Sequence, residues 1–204
     1  MFYSATGNIA AMAEALAEGA VKEGAEVRLR PVAELAPAAA IDRNPRWRAW
    51  VDAAPYEHTA TLGDLEWADG FALGSPTRFG GPAGQLKEFL DTTGGLWAQR
   101  KLVDKVGTAF TSASTKHGGL ESTILAINNV LYHWGSIVLP LGYTDDHVME
   151  SGNPYGGSFV SRSSAAPDAE ALDACRVQGA RLARITGIVA AGLAAARDDA
   201  PVGR

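Results

Sequence analysis

The sequence predicts an open α/β fold, a doubly wound parallel sheet of five strands in the order 2-1-3-4-5 with helices on both faces. Short apolar runs alternate along the chain with stretches of helical periodicity, which is the pattern of parallel strands joined by crossover helices. Polar loops that contain glycine follow three of these runs. The chain has 204 residues, 47% of them hydrophobic, which suits one domain with a sizeable core. Residues 1–204 are therefore predicted to form a single domain.

Each element follows from a local pattern, taken in chain order. Apolar residues at helical spacing, beginning with Ile9, Met12 and Leu16, predict the first helix. Pro167 stands near the start of the last helix, a position that proline tolerates. The predicted strands are residues 1–3, 27–30, 68–74, 106–110 and 137–139, and the predicted helices are about 8–23, 46–53, 84–91, a helix that begins at 120, and about 167–197.

The first strand is short for its central position. A central strand of a doubly wound sheet should supply about four to six apolar residues. Only Met1, Phe2 and Tyr3 precede the first polar loop. We therefore expect the first strand to be truncated and the natural protein to start upstream of Met1.

Composition and charge argue against several classes of protein. The net charge is −5 and no run is rich in Lys or Arg, so a surface for nucleic acid or an anionic membrane is not expected. The most apolar stretch, residues 188–196, is far shorter than the ~18 residues that span a bilayer. Cys175 is the single cysteine, which excludes an intramolecular disulfide and a Cys-based metal site. We expect a cytoplasmic protein with no membrane span, no nucleic-acid partner and no bound metal.

Three polar loops are predicted at one edge of the sheet. They are residues 4–8, 76–81 and 112–119, and the carboxyl edge they share is where open α/β sheets bind ligands. The first loop has no Lys or Arg, so a phosphate would be bound there by backbone N–H groups at a helix N-terminus. A Ser/Thr helix cap explains the same residues equally well. The loop lacks both the phosphate-loop lysine and Gly-x-Gly-x-x-Gly, which disfavours nucleoside triphosphate hydrolysis and a Rossmann dinucleotide site.

Two motifs are specific, Ser75-Pro-Thr-Arg-Phe-Gly80 and Thr93-Gly-Gly-Leu-Trp97, whereas Ser4-x-x-Gly7-x-Ile9 is a weak signal. Further blocks follow in collinear order: Gln85, Phe89-Leu-Asp91, Gly118-Gly119 with Glu121, His133 with Gly135, Leu141-Gly-Tyr143, Asn153-Pro-Tyr-Gly156 and Gln178-Gly179. Together they cover nearly the whole chain. The sequence resembles the WrbA-type NAD(P)H:quinone oxidoreductases of the flavodoxin-like superfamily.

The resemblance implies an FMN site on the three loops. The first loop would hold the phosphate, the second would border the isoalloxazine ring, the third would cover its pyrimidine edge, and His133 would approach from a helix end. Trp97, which family members often receive from a neighbouring subunit, and Thr6, where relatives often carry an aromatic residue, would face the substrate. The implied cofactor-binding residues are Ser4, Ala5, Thr6, Gly7, Asn8, Ile9, Thr77, Arg78, Phe79, Ser112, Ala113, Ser114, Thr115, Lys116, His117 and His133.

Some of these residues have a second explanation. A pairing with Asp91 would also explain Arg78, and packing in a core or an interface would explain Trp97. His133 is equally well explained as a hydrogen-bonded core histidine. Solvation on the surface would account for Lys116 and His117.

The activity implied by the resemblance is two-electron reduction of a quinone by NADH or NADPH, in a ping-pong reaction with hydride transfer through bound FMN. The family forms homo-oligomers, so a dimer or tetramer is expected. The alternative is a flavodoxin-like electron carrier or interaction protein that holds FMN without turning over NAD(P)H. A scaffold without cofactor is the third interpretation. The modest net charge argues against the carrier, because carriers tend to be more acidic.

Overall fold

The computed structural model describes residues 1–162 and 166–198 and is built around two long parallel strands. β1 (Gly70–Arg78) and β3 (Val106–Ala113) pair in parallel from Gly70 opposite Val106 to Pro76 opposite Ser112. Every residue of β3 is buried. This is the burial expected of a parallel sheet that is covered by helices on both faces.

The predicted order of the chain segments across the sheet, 2-1-3-4-5, is confirmed, although residues 1–3 contribute only a bridge at Phe2 and no regular strand. Phe2 forms parallel bridges to Pro31 on one side and to Gly74 of β1 on the other. Residues 1–3 therefore lie between the chain near Pro31 and β1, and β3 follows on the far side of β1.

The fifth position of the sheet is divided between two short strands. β4 (Ile137–Val138) pairs with the start of β3, and β5 (Ser158–Val160) pairs with its end. The predicted strand at 137–139 is thus confirmed only for its first part. Residues 139–157 leave the sheet between the two pieces and contain the short helix α8 (Asp146–Ser151).

Both central strands are longer than predicted. β1 continues through Ser75 and Pro76 to Arg78, and it turns back into the two-residue β2 (Gly81–Pro82), which pairs with it antiparallel. β3 continues to Ala113. The sheet is therefore parallel except for this hairpin, and parts of the loops predicted at 76–81 and 112–119 are strand.

The strand predicted at 27–30 is wrong, since no regular strand forms there. A strand needs a partner along its length, and only Phe2 pairs with this part of the chain, at Pro31. A cavity of about 500 Å³ lies beside residues 23–29, lined also by Met1, residues 67–72 and the two helices that cover this face.

The longer predicted helices are confirmed within about two residues at most ends. They are α1 (Asn8–Lys22), α3 (Pro45–Ala53), α5 (Gly84–Asp91), α7 (Leu120–Trp134) and α9 (Ala169–Asp198). The helices α2 (Ala38–Ile41), α4 (Leu62–Trp67), α6 (Gly94–Ala98) and α8 were not predicted, because four to six residues are too few to show a period.

The helices cover the two faces of the sheet and divide the core into two clusters. α5 and α7 pack with Phe71 and Leu73 on one face, whereas α1 and α9 pack with Phe2 and Phe110 on the other. α9 is 30 residues long and apolar enough to cross a membrane by length and composition, which is weak evidence because core helices pass the same test. Its first half is packed in the protein, with Cys175 and Leu182 buried.

Candidate functional site

A polar pocket of about 300 Å³ lies at the carboxyl ends of β1 and β3, beside the N-terminus of α1. Six hydroxyl side chains and two amides line it. Among the described residues, Arg78 is the only cation in its wall and no Asp or Glu contributes to it. A wall of neutral donors with one cation suits an anionic ligand with polar edges.

The first loop turns directly into α1. Gly7 adopts φ +90°, a left-handed conformation that favours glycine, and thereby directs the chain into the helix. The Ser4 hydroxyl accepts hydrogen bonds from the N–H groups of Gly7 (3.1 Å) and Ala10 (3.3 Å). The helix-cap explanation is therefore correct for the Ser4 side chain. The groups predicted to bind a phosphate are therefore the backbone of the rest of the loop together with Thr6 and Asn8, which line the pocket.

Helix α3 covers this loop. A Cβ atom at Gly7 would lie 3.3 Å from Cε3 of Trp50, so the indole packs directly on the loop backbone. Asn44 caps α3 by accepting from the N–H groups of Arg46 (3.1 Å) and Trp47 (3.3 Å). Asn44 and Trp47 both line the pocket. Sequence reasoning predicted this helix but missed its place in the site, although the Asn-Pro pair at 44–45 is a recognisable helix start.

The second and third loops are tied to each other. The Thr77 hydroxyl donates to the carbonyl oxygen of Gly118 (3.3 Å) and accepts from the Thr123 hydroxyl (2.7 Å). Gly80 and Gly119 meet backbone to backbone, since a Cβ at Gly119 would lie 2.8 Å from Cα of Gly80. The two loops therefore form one rigid wall of the pocket.

Two buried hydroxyls fix the ends of the central strands beneath this wall. The Ser75 hydroxyl accepts from the N–H of Ala83 (2.8 Å) and donates to the carbonyl oxygen of Pro76 (2.9 Å). The Thr111 hydroxyl donates to the carbonyl oxygen of Ser75 (2.6 Å). Each bond satisfies a polar group that would otherwise be buried without a partner. The strand ends thus present the loops at fixed positions.

Phe79 stands at the tip of the hairpin. Phe79 (φ 53°) and Gly80 (φ 83°) both have positive φ, as type I′ hairpin turns require. The Phe79 side chain is fully exposed. Arg78 donates to the carbonyl oxygen of Thr77 (3.0 Å), and Asp91 is paired with Lys87 instead, so pairing with Asp91 does not explain Arg78.

Most of the predicted cofactor residues are brought together. The pocket is lined by Ser4, Ala5, Thr6, Asn8, Ile9, Thr77, Arg78, Ser112, Ala113 and Ser114. The remaining third-loop residues, Thr115, Lys116 and His117, are exposed and do not line the pocket. Ser161, which follows β5, also lines the pocket and was missed, because it comes from the unpredicted second piece of the fifth strand position.

Trp97 and His133 do not reach this pocket within one chain. His133 lies in the last turn of α7, and thirteen residues at 1.5 Å each place it about 20 Å from the end near the loops. Trp97 lies on α6 and is 57% exposed. The two segments are linked at the opposite edge of the sheet, where the Ser136 hydroxyl donates to the carbonyl oxygen of Leu102 (2.8 Å). His133 is exposed, so it is not a core histidine.

Comparison with known proteins gives close relatives. The profile of the family described as NADPH-dependent FMN reductase matches residues 3–147. A protein of Deinococcus radiodurans called NAD(P)H dehydrogenase (quinone) is 46% identical over 162 residues, which are 79% of this chain and 81% of that protein. A protein of the same name from Paracoccus denitrificans is 41% identical over 201 residues and covers 94% of both chains.

Solved structures support the fold. A flavodoxin, WrbA-like protein from Agrobacterium tumefaciens matches with a TM-score of 0.66 at 23% identity, covering 92% of this chain and 94% of that one. A flavodoxin from the domain Archaea matches with a TM-score of 0.59 at 20% identity, covering 91% of this chain and 96% of that one. The architecture of this chain is therefore flavodoxin-like.

Proposed function

This chain belongs to the NADPH-dependent FMN reductase family, and from that premise we propose that it is an FMN-dependent NAD(P)H:quinone oxidoreductase. One observation carries the proposal: a pocket of neutral donors lies at the carboxyl ends of two parallel strands, in a chain 46% identical to an NAD(P)H dehydrogenase (quinone). Open α/β sheets bind cofactors at this edge.

The residues present fit FMN. Residues 4–9 offer backbone N–H groups and the N-terminal dipole of α1 to the phosphate, without a carboxylate of the described residues in the pocket wall to repel it. Thr77, Arg78 and residues 112–114 line the part of the pocket that would take the ring. FMN, when bound, supplies the redox chemistry, in which two electrons pass from NAD(P)H to a quinone.

The protein's contribution is position and charge. The Thr77 hydroxyl is fixed by Gly118 and Thr123, so the wall against the ring is rigid. Arg78 brings a positive charge to the pocket wall, which favours the more electron-rich state of a bound flavin. Phe79 presents an exposed aromatic face on which a nicotinamide or quinone ring can stack. No general base is required of the pocket.

We further propose that the active species is a homo-oligomer. The family pattern places Trp97 and His133 at the site, but both are exposed at the opposite edge of the sheet in the single chain. A second copy can bring them to the pocket of its neighbour. Exposed aromatic side chains of this kind are typical of interfaces between subunits.

The test is spectroscopic. Purified protein should turn yellow on addition of FMN, and NADH or NADPH should bleach the bound flavin under anaerobic conditions. Benzoquinone should then restore the colour. A flavin that binds and resists reduction by both nucleotides would favour an electron carrier, and protein that binds no FMN would refute the proposal.

A further inference from the structure

The carboxylate of Glu34 lies beside the polar pocket and accepts five hydrogen bonds. Its Oε1 accepts from the N–H groups of Leu35 and Ala36 and from the Gln85 side chain, each at 2.9 Å. Its Oε2 accepts from the Tyr3 hydroxyl and from Nε1 of Trp47, both at 2.9 Å. Both carboxylate oxygens are therefore fully used.

The donors come from separate parts of the chain. Tyr3 follows Phe2 in the centre of the sheet, Gln85 lies in the first turn of α5, and Trp47 lies in the first turn of α3. Gln85 also donates to the Tyr3 hydroxyl (3.0 Å), which closes the network. One carboxylate thus joins α3 and α5 to the strand that leads into the 4–8 loop.

Glu34 is ionised in this network. Burial alone would raise its pKa, but the hydrogen bonds from the N–H of Ala36, Gln85, Trp47 and Tyr3 outweigh burial and hold the pKa below its ordinary value. Charged acceptors form stronger hydrogen bonds than neutral ones.

Trp47 connects this network to the pocket. Its indole N–H donates to Glu34, while the side chain lines the pocket together with Asn44. The N–H is consequently unavailable to a ligand, and the indole offers the ligand its ring. A large aromatic side chain excludes water and contributes contact area at a small entropic cost.

We propose that Glu34 is a positioning residue that holds the Trp47 indole as an aromatic wall of the FMN pocket. The inference rests on the proposed function, because it requires FMN as the ligand. Glu34 itself touches only protein groups. Its effect on the cofactor passes entirely through Trp47.

A double-mutant cycle tests this arrangement with FMN dissociation constants as the readout. Trp47→Ala should weaken FMN binding about tenfold, and Trp47→Phe, which keeps a ring but has no N–H to donate to Glu34, should restore only a small part of the affinity. Glu34→Ala should weaken binding about five- to tenfold in the native background and less than about twofold in the Trp47→Ala background, because the residues act through one another. Glu34→Gln serves in the same cycle if Glu34→Ala does not fold.

Tyr3→Phe is the matched control. It removes another donor to the same carboxylate oxygen, Oε2, and Tyr3 does not line the pocket. Its FMN affinity should stay within about twofold of the native value. A general loosening of the network would instead weaken FMN binding in Tyr3→Phe as much as in Glu34→Ala.

Tryptophan fluorescence supplies a second readout. Bound FMN should quench Trp47 most strongly, so Trp47→Phe should remove a larger share of the quenching than Trp67→Phe, whose indole lies at the other cavity. Equal losses of affinity for Glu34→Ala in both backgrounds, or unchanged binding in Trp47→Ala, would overturn the inference while the proposed function stands. Native protein that binds no FMN would overturn both.

Discussion

Residues 1–4 run from one cavity of this molecule to another. Met1 lines the larger cavity, about 500 Å³, whose walls are mainly apolar and small residues of α1, α9 and the chain around 23–29 and 67–72. Ser4 lines the smaller pocket, about 300 Å³, whose walls are mainly hydroxyls and amides at the carboxyl ends of β1 and β3. The two cavities differ in the composition of their walls and in their place in the sheet. The smaller pocket brings hydroxyl and amide side chains together, whereas the larger cavity lies where no strand forms beside residues 27–30.

The pocket proposed for FMN is the smaller of the two, so volume alone does not identify it. Residues 27–30 and the start of β1 face each other across the larger cavity without a strand between them. Thr186 Oγ1 is buried without a hydrogen-bond partner, and a Cβ at Gly70 would lie 2.3 Å from it. We interpret the missing strand and the unsatisfied hydroxyl as a gap in the sheet and not as a set of donors for a ligand. We therefore expect changes at the larger cavity to alter stability and changes at the smaller pocket to alter FMN affinity.

The largest expected effect is at the contact between α1 and α9, next to the larger cavity, where Leu16 of α1 also lines that cavity. A Cβ at Gly179 would lie 1.8 Å from the backbone oxygen of Leu16, which has no room to move. Gly179→Ala should lower the free energy of unfolding by about 3 kcal/mol, measured by urea denaturation, because the two helices must separate. FMN affinity of the fraction that remains folded should be unchanged.

Gly187→Ala is the matched control on the same helix. A Cβ at Gly187 meets nothing within 4 Å, and the residue lies on the same cavity. The substitution should stabilise the protein by about 0.5–1 kcal/mol through helix propensity. If both substitutions destabilised the protein equally, the close approach of α1 and α9 would not be the reason that position 179 requires glycine.

A strand placed in the larger cavity should stabilise the protein. The backbone of residues 1–3 already pairs on both sides: Met1 N donates to the carbonyl oxygen of Ala72 (2.8 Å), and Phe2 N donates to that of Arg30 (3.0 Å). A chain lengthened by Val-Ile-Val ahead of Met1 should therefore continue between 27–30 and the start of β1. We expect a gain of about 2 kcal/mol in the free energy of unfolding from apolar burial. A Ser-Asn-Ser extension of the same length is the control and should give little or no gain.

The pH dependence of that gain is diagnostic. Burial lowers the pKa of the Met1 amine from 8.0 to about 5, with Asp64 opposing and Arg30 adding to the effect. Between these values the unfolded chain binds a proton that the folded chain does not, so the stability of a chain that begins at Met1 should fall as pH decreases from 8 towards 5. In the lengthened chain the same nitrogen is a neutral amide. Its stability advantage should grow as the pH is lowered, and an advantage that is independent of pH would contradict the buried amine.

Two glycines, one in the 4–8 loop and one at the larger cavity, separate the effect of backbone strain from an effect on ligand binding. Gly7 has φ +90° and Gly24 has φ +83°, so alanine is similarly strained at both positions. Gly7 lies between Thr6 and Asn8, which line the pocket proposed for FMN, and its Cβ would press on Trp50 at 3.3 Å, while a Cβ at Gly24 meets nothing within 4 Å. Gly7→Ala should weaken FMN binding about tenfold and Gly24→Ala less than about twofold, with similar losses of about 1 kcal/mol in stability. Similar dissociation constants for the two variants would remove the 4–8 loop from the site.

The order of the segments across the sheet was predicted from alternating apolar runs and helical periods, whereas most of the pocket residues were predicted from the family resemblance. Thr77 and Arg78 were found through one motif, and the register of β1 and β3 then placed them beside Ser112. The strand at Ser75 and Pro76 was missed, because proline and small polar residues resemble a loop until a parallel partner is known. Pairing with β3 overrides that local preference.

Glu34 and Trp47 could not be predicted for a different reason. They are thirteen residues apart in a Pro- and Ala-rich segment, and their contact depends on how α3 docks on the sheet. Docking is set by packing among distant residues, such as Trp50 on Gly7, and leaves no periodic signal. Trp97 and His133 do not line the pocket of the single chain, and in the proposed homo-oligomer their place would be set by contacts between copies, which leave no local sequence pattern.

The smallest expected effect distinguishes two exposed tryptophans, Trp67 and Trp97. Trp67 lines the larger cavity, with the Arg28 guanidinium 3.8 Å from its ring centroid, and Trp97 is 57% exposed on α6. If a neighbouring copy delivers Trp97 to the FMN pocket, Trp97→Ala removes a stacking surface for the quinone and leaves FMN bound. We expect the KM for benzoquinone to rise about two- to tenfold, since aromatic stacking contributes roughly 0.5–1.5 kcal/mol. Trp67→Ala should leave this KM unchanged and lower only the unfolding temperature, because its indole lines the larger cavity and not the pocket proposed for FMN. Steady-state assays of both variants at saturating NADH test this prediction. Equal KM values for benzoquinone in the two variants would place Trp97 outside the site and would indicate that the smaller pocket binds its substrate within one chain.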